Sequence, residues 1–130
     1  MNKKLSLTVG ALFSGLGVLI GAFGAHGLKP DLLAHQTVDT FETAVRYQMY
    51  HGLALLLYGA IVNTNPNQLL RWSSISWVAG VLLFSGSLYA YALSGVRTIA
   101  IITPFGGLAF LIGWLLFAIG QWQTKMRSDG

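Results

Sequence analysis

Four long apolar segments, separated by short polar stretches, occupy most of this chain. They extend over about residues 5–25, 44–62, 72–93 and 99–122. Because a helix needs about 20 predominantly apolar residues to cross a bilayer, each segment predicts one membrane-spanning helix, here termed spans one to four. Span one also has the charged start of a signal peptide, but it exceeds the usual apolar length of about 7–15 residues, so we expect a permanent anchor.

The second span is unusual, because its uninterrupted apolar part, Gly52–Val62, has only 11 residues. The missing turns must come from the preceding stretch FETAVRYQMYH, which contains ionisable and aromatic side chains. With them, residues 44–62 form a helix of about 28 Å at about 1.5 Å per residue, close to the hydrocarbon thickness of about 30 Å. Ionisable groups at membrane depth are costly and are therefore functional candidates.

The composition supports a membrane protein. Hydrophobic residues make up 54% of the 130 residues and charged residues only 9%, whereas soluble domains carry about 25% charged residues. This excludes a water-soluble globular protein and predicts an all-α polytopic membrane protein, a four-helix bundle in a single domain over residues 1–130. The chain has no cysteine, which excludes disulfides, thiolate nucleophiles and cysteine-bound metals.

The net charge of +4 comes from basic residues at the segment ends, which favours membrane orientation over nucleic-acid binding. With four spans, both termini and the middle connection lie on one side of the membrane. Five basic residues lie on that side, namely Lys3, Lys4, Arg71, Lys125 and Arg127. The opposite side has two basic residues, Lys29 and Arg97, or three if Arg46 is counted. Since positive charge is enriched in the cytoplasm, we predict a multi-pass protein of the plasma (inner) membrane with both termini cytoplasmic.

The connections between the spans also carry structural signals. The longest, residues 27–40, contains Pro30 at a position that suits the first turn of a helix, so we expect a short interfacial helix after span one. Asp39 and Glu42 resemble a capping box at the start of span two. The stretch TNPNQ, residues 64–68, predicts a turn from its asparagine and proline content, and a tight connection follows span three.

The four-span topology brings four polar or helix-breaking stretches, far apart in sequence, to the same leaflet. These are the end of span one, the start of span two, the end of span three and the start of span four. The residues that we predict as ligand-binding or lipid-binding candidates are His26, Glu42, Arg46, Tyr47, Gln48, Tyr50, His51, Ser85, Ser87, Tyr89, Thr103 and Pro104. The convergence depends only on the number of helices. From this cluster we predict no catalytic residues, no metal site and no cofactor.

Helix geometry places the polar residues of span two on two neighbouring rows. At about 100° per residue, Glu42, Arg46 and Tyr50 share one row, and Tyr47 and His51 lie on the next. Glu42 and Arg46 can then form an ion pair, which lowers the cost of placing either near lipid. The alternative is that the pair is only an interfacial anchor, with the arginine extended to water and the tyrosines in an aromatic belt.

Three further polar side chains need partners if these helices pack together. Gln48 falls on the apolar side of span two, so we expect a partner from another helix. His51 lies deeper, where a hydrogen bond to a neighbour is the alternative to a role as proton carrier. His26, flanked by glycines, could approach His51 and hold a metal or haem with it, but two ligands without a cysteine or a carboxylate pair are a poor metal signal.

Small residues line one face of span one and one face of span four. Span one has the GxxxG motif Gly17–Gly21, whose face continues through Gly10, and in span four Gly106, Gly113 and Gly120 repeat every seven residues. Small faces let membrane helices approach closely, and a seven-residue repeat indicates a left-handed packing seam. We expect packing within the chain, with contact to a second copy or to a partner membrane protein as the alternative.

Four stretches of the chain carry a family resemblance. GAFGAHGLK, FETAVRYQMYHGLALLLYG, FSGSLYAYALSG and ITPFGGLAFLIGW resemble, in order, the small bacterial inner-membrane family known as domain of unknown function 423, also called the UPF0382 or YgdD-like family. The resemblance extends from about Gly10 to Phe117. It implies a four-helix integral membrane protein of the plasma membrane, and it implies no settled activity, cofactor or catalytic residue set.

These observations favour a non-enzymatic membrane protein that binds a lipid headgroup, a small ligand or a partner helix. In that hypothesis Arg46 supplies the charge for an anionic group, because arginine binds phosphate oxygens in a bidentate way, and Glu42 holds the arginine. The alternative is a small transporter or channel, with Glu42 and His51 as a proton path and Pro104 as a hinge. An enzyme ranks last, since no metal motif, nucleophile elbow or carboxylate pair supports it.

Overall fold

The computed structural model describes residues 1–128, and every regular element in that range is helical. The helices are α1 (Lys3–Ala25), α2 (Lys29–Ala34), α3 (Val38–Ile61), α4 (Gln68–Gly80), α5 (Gly86–Ser94) and α6 (Thr103–Ser128). A π-helical turn (Val81–Ser85) joins α4 to α5, and a 3-10 turn (Arg97–Ile102) precedes α6. The prediction of an all-α fold is confirmed.

Three helical stretches in the described range are long and apolar enough to cross a membrane, namely Lys3–Ala25, Gln68–Ser94 and Arg97–Thr124. They correspond to spans one, three and four. α3 has 24 residues and a length of about 36 Å at about 1.5 Å per residue, but its first half carries Asp39, Glu42 and Arg46. By length α3 can cross with the others, and the four-span count stays a prediction.

Asparagine side chains cap two of the long helices at their N-termini. The side-chain oxygen of Asn2 accepts from the backbone N–H of Leu5, and that of Asn67 accepts from Leu70, both at 2.9 Å. α3 differs, because it begins at Val38 and its N-cap residue makes no side-chain capping bond. The predicted capping box is therefore wrong: Asp39 lies inside the first turn of α3, where a carboxylate still interacts favourably with the helix dipole.

α1 packs lengthwise against α3 through its small residues. A Cβ on Gly10 would lie 2.7 Å from the Gly52 carbonyl oxygen, and a Cβ on Gly52 would lie 2.6 Å from Ser14 Oγ. Both distances are too short for a real side chain, so the two backbones approach as closely as glycine allows. Nearer the N-terminus of α3, Gly24 lies against the ring of Phe41. The predicted packing face of span one is confirmed.

The seven-residue repeat of α6 forms the second packing seam. Its glycines lie against Phe84 (Gly106), Trp77 (Gly113) and Leu70 (Gly120). Each added Cβ would overlap atoms of α4 or the π turn, so α6 is held at the distance that these glycines permit. The predicted seam is confirmed.

Most of these glycines pack within the chain, and contact of these faces with a second copy or a partner protein stays a prediction. Gly10, Gly17, Gly106, Gly113 and Gly120 are buried, and Gly21 is half-buried beside Val45.

The short helix α2 docks on the end of α5. Leu32 is buried in a small apolar cluster with Phe41 and Ala92. The hydroxyl of Thr37 donates to the carbonyl oxygen of Ala92 at 2.8 Å, and Nδ1 of His35 lies 3.3 Å from the same oxygen. The predicted short helix after span one is confirmed, and these contacts hold it across the neighbouring ends of α3 and α5.

Span three ends in a tight turn at Gly95. This residue has φ 71°, in the left-handed region, and its N–H donates to the carbonyl oxygen of Tyr91 at 2.9 Å. Glycine is the usual residue at such a helix end, because it has no Cβ to clash. The predicted tight connection is confirmed.

The sequence pattern predicts an unbroken span three, but residues Val81–Ser85 form a π turn within it. The N–H of Gly86 donates to the carbonyl oxygen of Val81, five residues earlier instead of four. Such turns widen the helix locally and frequently lie at functional sites. At the end of this turn the Ser85 hydroxyl donates to the carbonyl oxygen of Ala44 in α3 at 2.8 Å, so the turn is tied to its neighbour.

Candidate functional site

The end of α1, the start of α3, the end of α5 and the start of α6 meet at one end of the bundle. The hydroxyl oxygens of Ser87 and Thr103 are 2.7 Å apart, which links α5 to α6. Tyr89 Oη donates to Gln48 Oε1 at 2.8 Å, which links α5 to α3, and Gly24 of α1 packs on the first turns of α3. The predicted convergence of distant stretches is confirmed, while the role of these residues as a binding site stays a prediction.

The converging residues lie in two different environments. Gln48, His51, Ser85 and Ser87 are buried between helices, with Tyr89 and Thr103 half-buried beside them. His26, Glu42, Arg46, Tyr47, Tyr50 and Pro104 are exposed. The predicted cluster is therefore divided into an internal hydrogen-bonded part and an external part, and only the external part is accessible to a ligand.

Gln48 links three helices from inside the bundle. Its side chain is only 4% exposed. Nε2 donates to the carbonyl oxygen of Phe13 in α1, and Oε1 accepts from Tyr89 of α5, both at 2.8 Å. The prediction that Gln48 needs a partner from another helix is confirmed, and its amide is used for helix association.

His51 is buried in an aromatic environment and uses both ring nitrogens. Nδ1 lies 2.8 Å from the Tyr47 carbonyl oxygen, and Trp114 Nε1 donates to Nε2 at 3.1 Å. Because a carbonyl only accepts and an indole N–H only donates, this pair of partners requires the neutral tautomer with its proton on Nδ1. Phe110 stacks on the ring with centroids 3.6 Å apart. His51 is hydrogen-bonded to its neighbours, and neither nitrogen is available to a ligand.

His26 is the exposed C-cap residue of α1, beside an opening of about 340 Å³ that Leu19, Phe23 and Gly27 also line. The hypothesis that His26 and His51 together hold a metal or haem is wrong, because both nitrogens of His51 already have protein partners. Within residues 1–128, no group of three or more histidine, cysteine, aspartate or glutamate side chains is placed to hold a metal ion.

The start of α6 is formed by Thr103 and Pro104. Pro104 is the second residue of α6. Its lack of an N–H costs no hydrogen bond there, because the N–H groups of the first turn have no partner within the helix. The Thr103 hydroxyl pairs with Ser87. These contacts indicate a helix start, and the predicted hinge at Pro104 is not needed to explain the proline.

A groove of about 420 Å³ lies between α1, α2 and α3 and is a second accessible feature of this end. Its floor is formed by Gly17, Gly21 and Gly24 of α1, and its walls include Met49 of α3 and Leu32 of α2. Gly24 lies beside the start of α3, whereas Gly17 lies beside Met49, nearer the middle of α3. The groove therefore runs along α1 and α3, from the end of the bundle toward its centre.

The rim of the groove is polar. Glu42, Arg46 and Tyr50, the row predicted on span two, all line it and are all exposed. The predicted ion pair between Glu42 and Arg46 is not found: no guanidinium nitrogen of Arg46 lies within 4.0 Å of a carboxylate oxygen of Glu42 in the described structure. Both charges remain open to a ligand in the groove.

The two tyrosines of this region take different sides of α3. Tyr50 lines the groove. Tyr47 faces away from it and packs on Phe84, with ring centroids 4.7 Å apart, and on Phe110, at 6.1 Å. Of the pair, only Tyr50 can contact a molecule in the groove.

Sequence reasoning missed the floor and walls of the groove. It treated Gly17 and Gly21 only as part of a packing face. α3 fills part of that face, since a Cβ on Gly17 or Gly21 would still meet Met49 or Val45 at ordinary or slightly close distances of 3.4 and 3.3 Å. The space of the groove remains because the side chains of α3 do not cover this glycine face completely. The sequence signal that could have indicated it is the set of small residues on α1, which pack beside the α3 row of Glu42, Arg46 and Tyr50.

The chain is similar to several membrane proteins. The model of the family described as "Protein of unknown function (DUF423)" matches residues 20–107. The inner membrane protein YgdD of Escherichia coli K12, named a UPF0382 protein, is 36% identical over 128 residues, 98% of this chain and 97% of its own length. UPF0382 membrane proteins of Haemophilus influenzae and Staphylococcus aureus are each 42% identical, over 95% and 92% of this chain and 98% and 97% of their own lengths. No solved structure is significantly similar to the chain.

Proposed function

The chain belongs to the DUF423 family of small integral membrane proteins, and we propose that it is non-enzymatic and holds one phospholipid in the groove between α1, α2 and α3. The acyl chain would lie along the glycine floor, and the phosphate would bind Arg46. The observation that supports this most directly is an apolar groove whose rim carries an arginine without an ion-pair partner in the described structure.

The shape of the groove suits a chain-like apolar ligand. Its volume of about 420 Å³ lies within the range of about 300–1,000 Å³ of small-molecule sites. Because the groove runs along α1 and α3, an acyl chain can enter it in the orientation that it has in the bilayer when these helices cross the membrane. The glycine floor lets the acyl chain of the lipid approach the α1 backbone closely.

The rim supplies the polar contacts that orient such a ligand. The guanidinium of Arg46 can bind two phosphate oxygens at once, and the hydroxyl of Tyr50 can donate a further hydrogen bond. Arg46 lies about two turns into α3, and arginine extends its head to the interface while its stem covers apolar surface. This is the depth at which phospholipid phosphates lie when α3 crosses the bilayer.

We place the groove in the outer leaflet, because the basic residues of the chain are concentrated at the opposite end. The chain has no native cysteine, so labelling of single cysteines in intact cells tests the orientation directly. A Gln36→Cys variant should react with a membrane-impermeant maleimide and an Asn65→Cys variant should not, and the reverse pattern would invert the proposed topology.

The transporter hypothesis receives less support from the contacts. A proton path through His51 needs a free ring nitrogen, but Tyr47 and Trp114 occupy both. The Phe110 ring stacked at 3.6 Å also excludes water from one face of the imidazole.

An arginine exchange tests the proposal. We expect Arg46→Gln, purified in mild detergent, to retain about ten- to hundredfold less phospholipid than the parent protein, because hydrogen bonds to charged groups contribute about 1.5–3 kcal/mol. Native mass spectrometry counts the bound lipid. Arg97→Gln is the matched control, since Arg97 is exposed near the same end of the bundle but does not line the groove. Equal lipid in Arg46→Gln and the parent would contradict the proposal.

A further inference from the structure

The rim of the groove carries two opposite charges that form no ion pair with each other in the described structure. Glu42 and Arg46 lie one turn apart on the same row of α3, both are exposed, and both line the groove. No ion pair within 4.0 Å joins them in the described structure. A phosphate at Arg46 would therefore lie beside an open carboxylate, and a ligand with a second negative charge would be repelled there.

The two charges are ordered along α3. Glu42 precedes Arg46 by four residues in a helix that begins at Val38, so it lies about 6 Å nearer the end of the bundle, at about 1.5 Å per residue. The acyl-chain part of the groove extends the other way, toward Met49 and Gly17. From the membrane centre outward, a ligand in the groove would contact first the apolar floor, then the cationic side chain of Arg46 and then the anionic side chain of Glu42.

This end of the protein has no surplus of positive charge. Its charged side chains are three basic and three acidic groups, namely Lys29, Arg46, Arg97, Asp31, Asp39 and Glu42. Sites for anionic lipids are typically clusters of lysine and arginine. The groove end is balanced, and the positive charge of the chain lies at the other end.

Together these observations, which rest on the proposed phospholipid site, identify the headgroup. We propose that the groove selects a phospholipid with a primary ammonium group, a phosphatidylethanolamine, with its phosphate on Arg46 and its ammonium on Glu42. In this lipid an ethylene bridge joins the ammonium to the phosphate on the side away from the acyl chains, which matches the order of the two side chains. A carboxylate accepts hydrogen bonds from a primary ammonium.

The same contacts disfavour the two common alternatives. A quaternary choline group has no N–H to donate, and its recognition uses an aromatic cage, whereas the group one turn outside Arg46 is a carboxylate. An anionic phosphatidylglycerol leaves Glu42 without a cation.

A lipid competition experiment tests the headgroup. The full-length protein is stripped of lipid and offered an equimolar mixture of phosphatidylethanolamine, phosphatidylcholine and phosphatidylglycerol with identical acyl chains, and native mass spectrometry reports the bound species. We expect a preference for phosphatidylethanolamine of about two- to fivefold over each competitor, the size of an exposed ion pair. Glu42→Gln should abolish this preference by lowering the bound phosphatidylethanolamine to the level of each competitor.

Asp39→Asn is the control, because it removes an exposed carboxylate from the same helix but outside the groove lining, and it should keep the preference. Equal binding of the three lipids by the parent, with binding still lost in Arg46→Gln, would overturn the headgroup assignment and leave the phospholipid site intact. A preference that survives Glu42→Gln would also overturn it. Lipid binding that is absent, or unaffected by Arg46→Gln, would overturn both.

Discussion

Replacing Gly106 by alanine tests the close approach of α6 to the π turn. A Cβ at this position would lie 2.8 Å from both Cα and Cβ of Phe84 and closer still to its backbone nitrogen. Because backbone atoms and a Cβ cannot rotate away, the overlap can be relieved only by separating the two helices. Gly107, the next residue, offers a matched comparison, since its nearest neighbours would be ring atoms of Phe84 at 3.8 Å.

The expected effects have opposite signs. Overpacking a well-packed contact costs about 1–3 kcal/mol, so we expect Gly106→Ala to lower the free energy of unfolding by about that amount. Gly107→Ala makes an ordinary contact, and replacing a helical glycine by alanine contributes up to about 1 kcal/mol of stability. The free energies of unfolding of the two variants should therefore differ by about 1–4 kcal/mol, although each variant adds the same methyl group to the same turn of α6.

Equilibrium unfolding in mixed detergent micelles measures the difference. Tryptophan fluorescence is a suitable probe, because Trp77 and Trp114 lie in the α4–α6 contact with ring centroids 4.6 Å apart. If Gly106→Ala and Gly107→Ala unfold at the same free energy, α6 does not pack on the π turn as described.

Two further predictions concern the polar contacts between helices. Gln48→Met and Tyr89→Phe should each lower the free energy of unfolding. In a double-mutant cycle the double variant should lose about 0.6–1.7 kcal/mol less than the sum of the two single losses, which is the coupling measured for hydrogen bonds between membrane helices. Additive losses would contradict the hydrogen bond between the two side chains. Thr37→Val should lower the free energy of unfolding by about 1–3 kcal/mol, because it leaves the Ala92 carbonyl oxygen without its buried hydroxyl donor; Thr98→Val, at an exposed position, is the control, and equal melting temperatures for the two would show that the contact contributes nothing.

Much of the helical framework could be predicted from the sequence, because bilayer thickness and helical period act on every residue. The spans, the glycine seams and the demand of Gln48 for an interhelical partner all follow from those two constraints. The meeting of Ser87 with Thr103 follows too, since consecutive antiparallel helices must share an end. These predictions need no knowledge of how side chains fit.

The errors occurred where one local rule competes with a tertiary contact. Asp39 and Glu42 have the spacing of a capping box, but α3 begins four residues before Glu42, and the hydroxyl of its N-cap residue Thr37 bonds Ala92 instead. Glu42 and Arg46 have the spacing of a helical ion pair, yet their exposed side chains stand apart. Spacing shows that two groups can meet and does not show that they do.

The groove could not be predicted, because it depends on the misfit between two surfaces. The small residues of α1 are fully used by α3 near Gly10 and Gly52, where the backbones touch. Farther along, Met49 leaves part of the same glycine face uncovered, and docking of α2 through Leu32 closes one side. Only the relative positions of three helices decide how much of the face stays open.

The π turn at Val81–Ser85 lets one long helix face two different neighbours. Trp77, before the turn, packs on α6, whereas Tyr89, after it, bonds to α3. Each residue rotates an α-helix by about 100°, so losing a single residue between Gly86 and Tyr89, in the α-helical part after the turn, would rotate Tyr89 by that angle and detach it from its partner. The number of residues between Gly86 and Tyr89 therefore sets which neighbour Tyr89 faces, and deletions there should be far less tolerated than in the connection between α3 and α4.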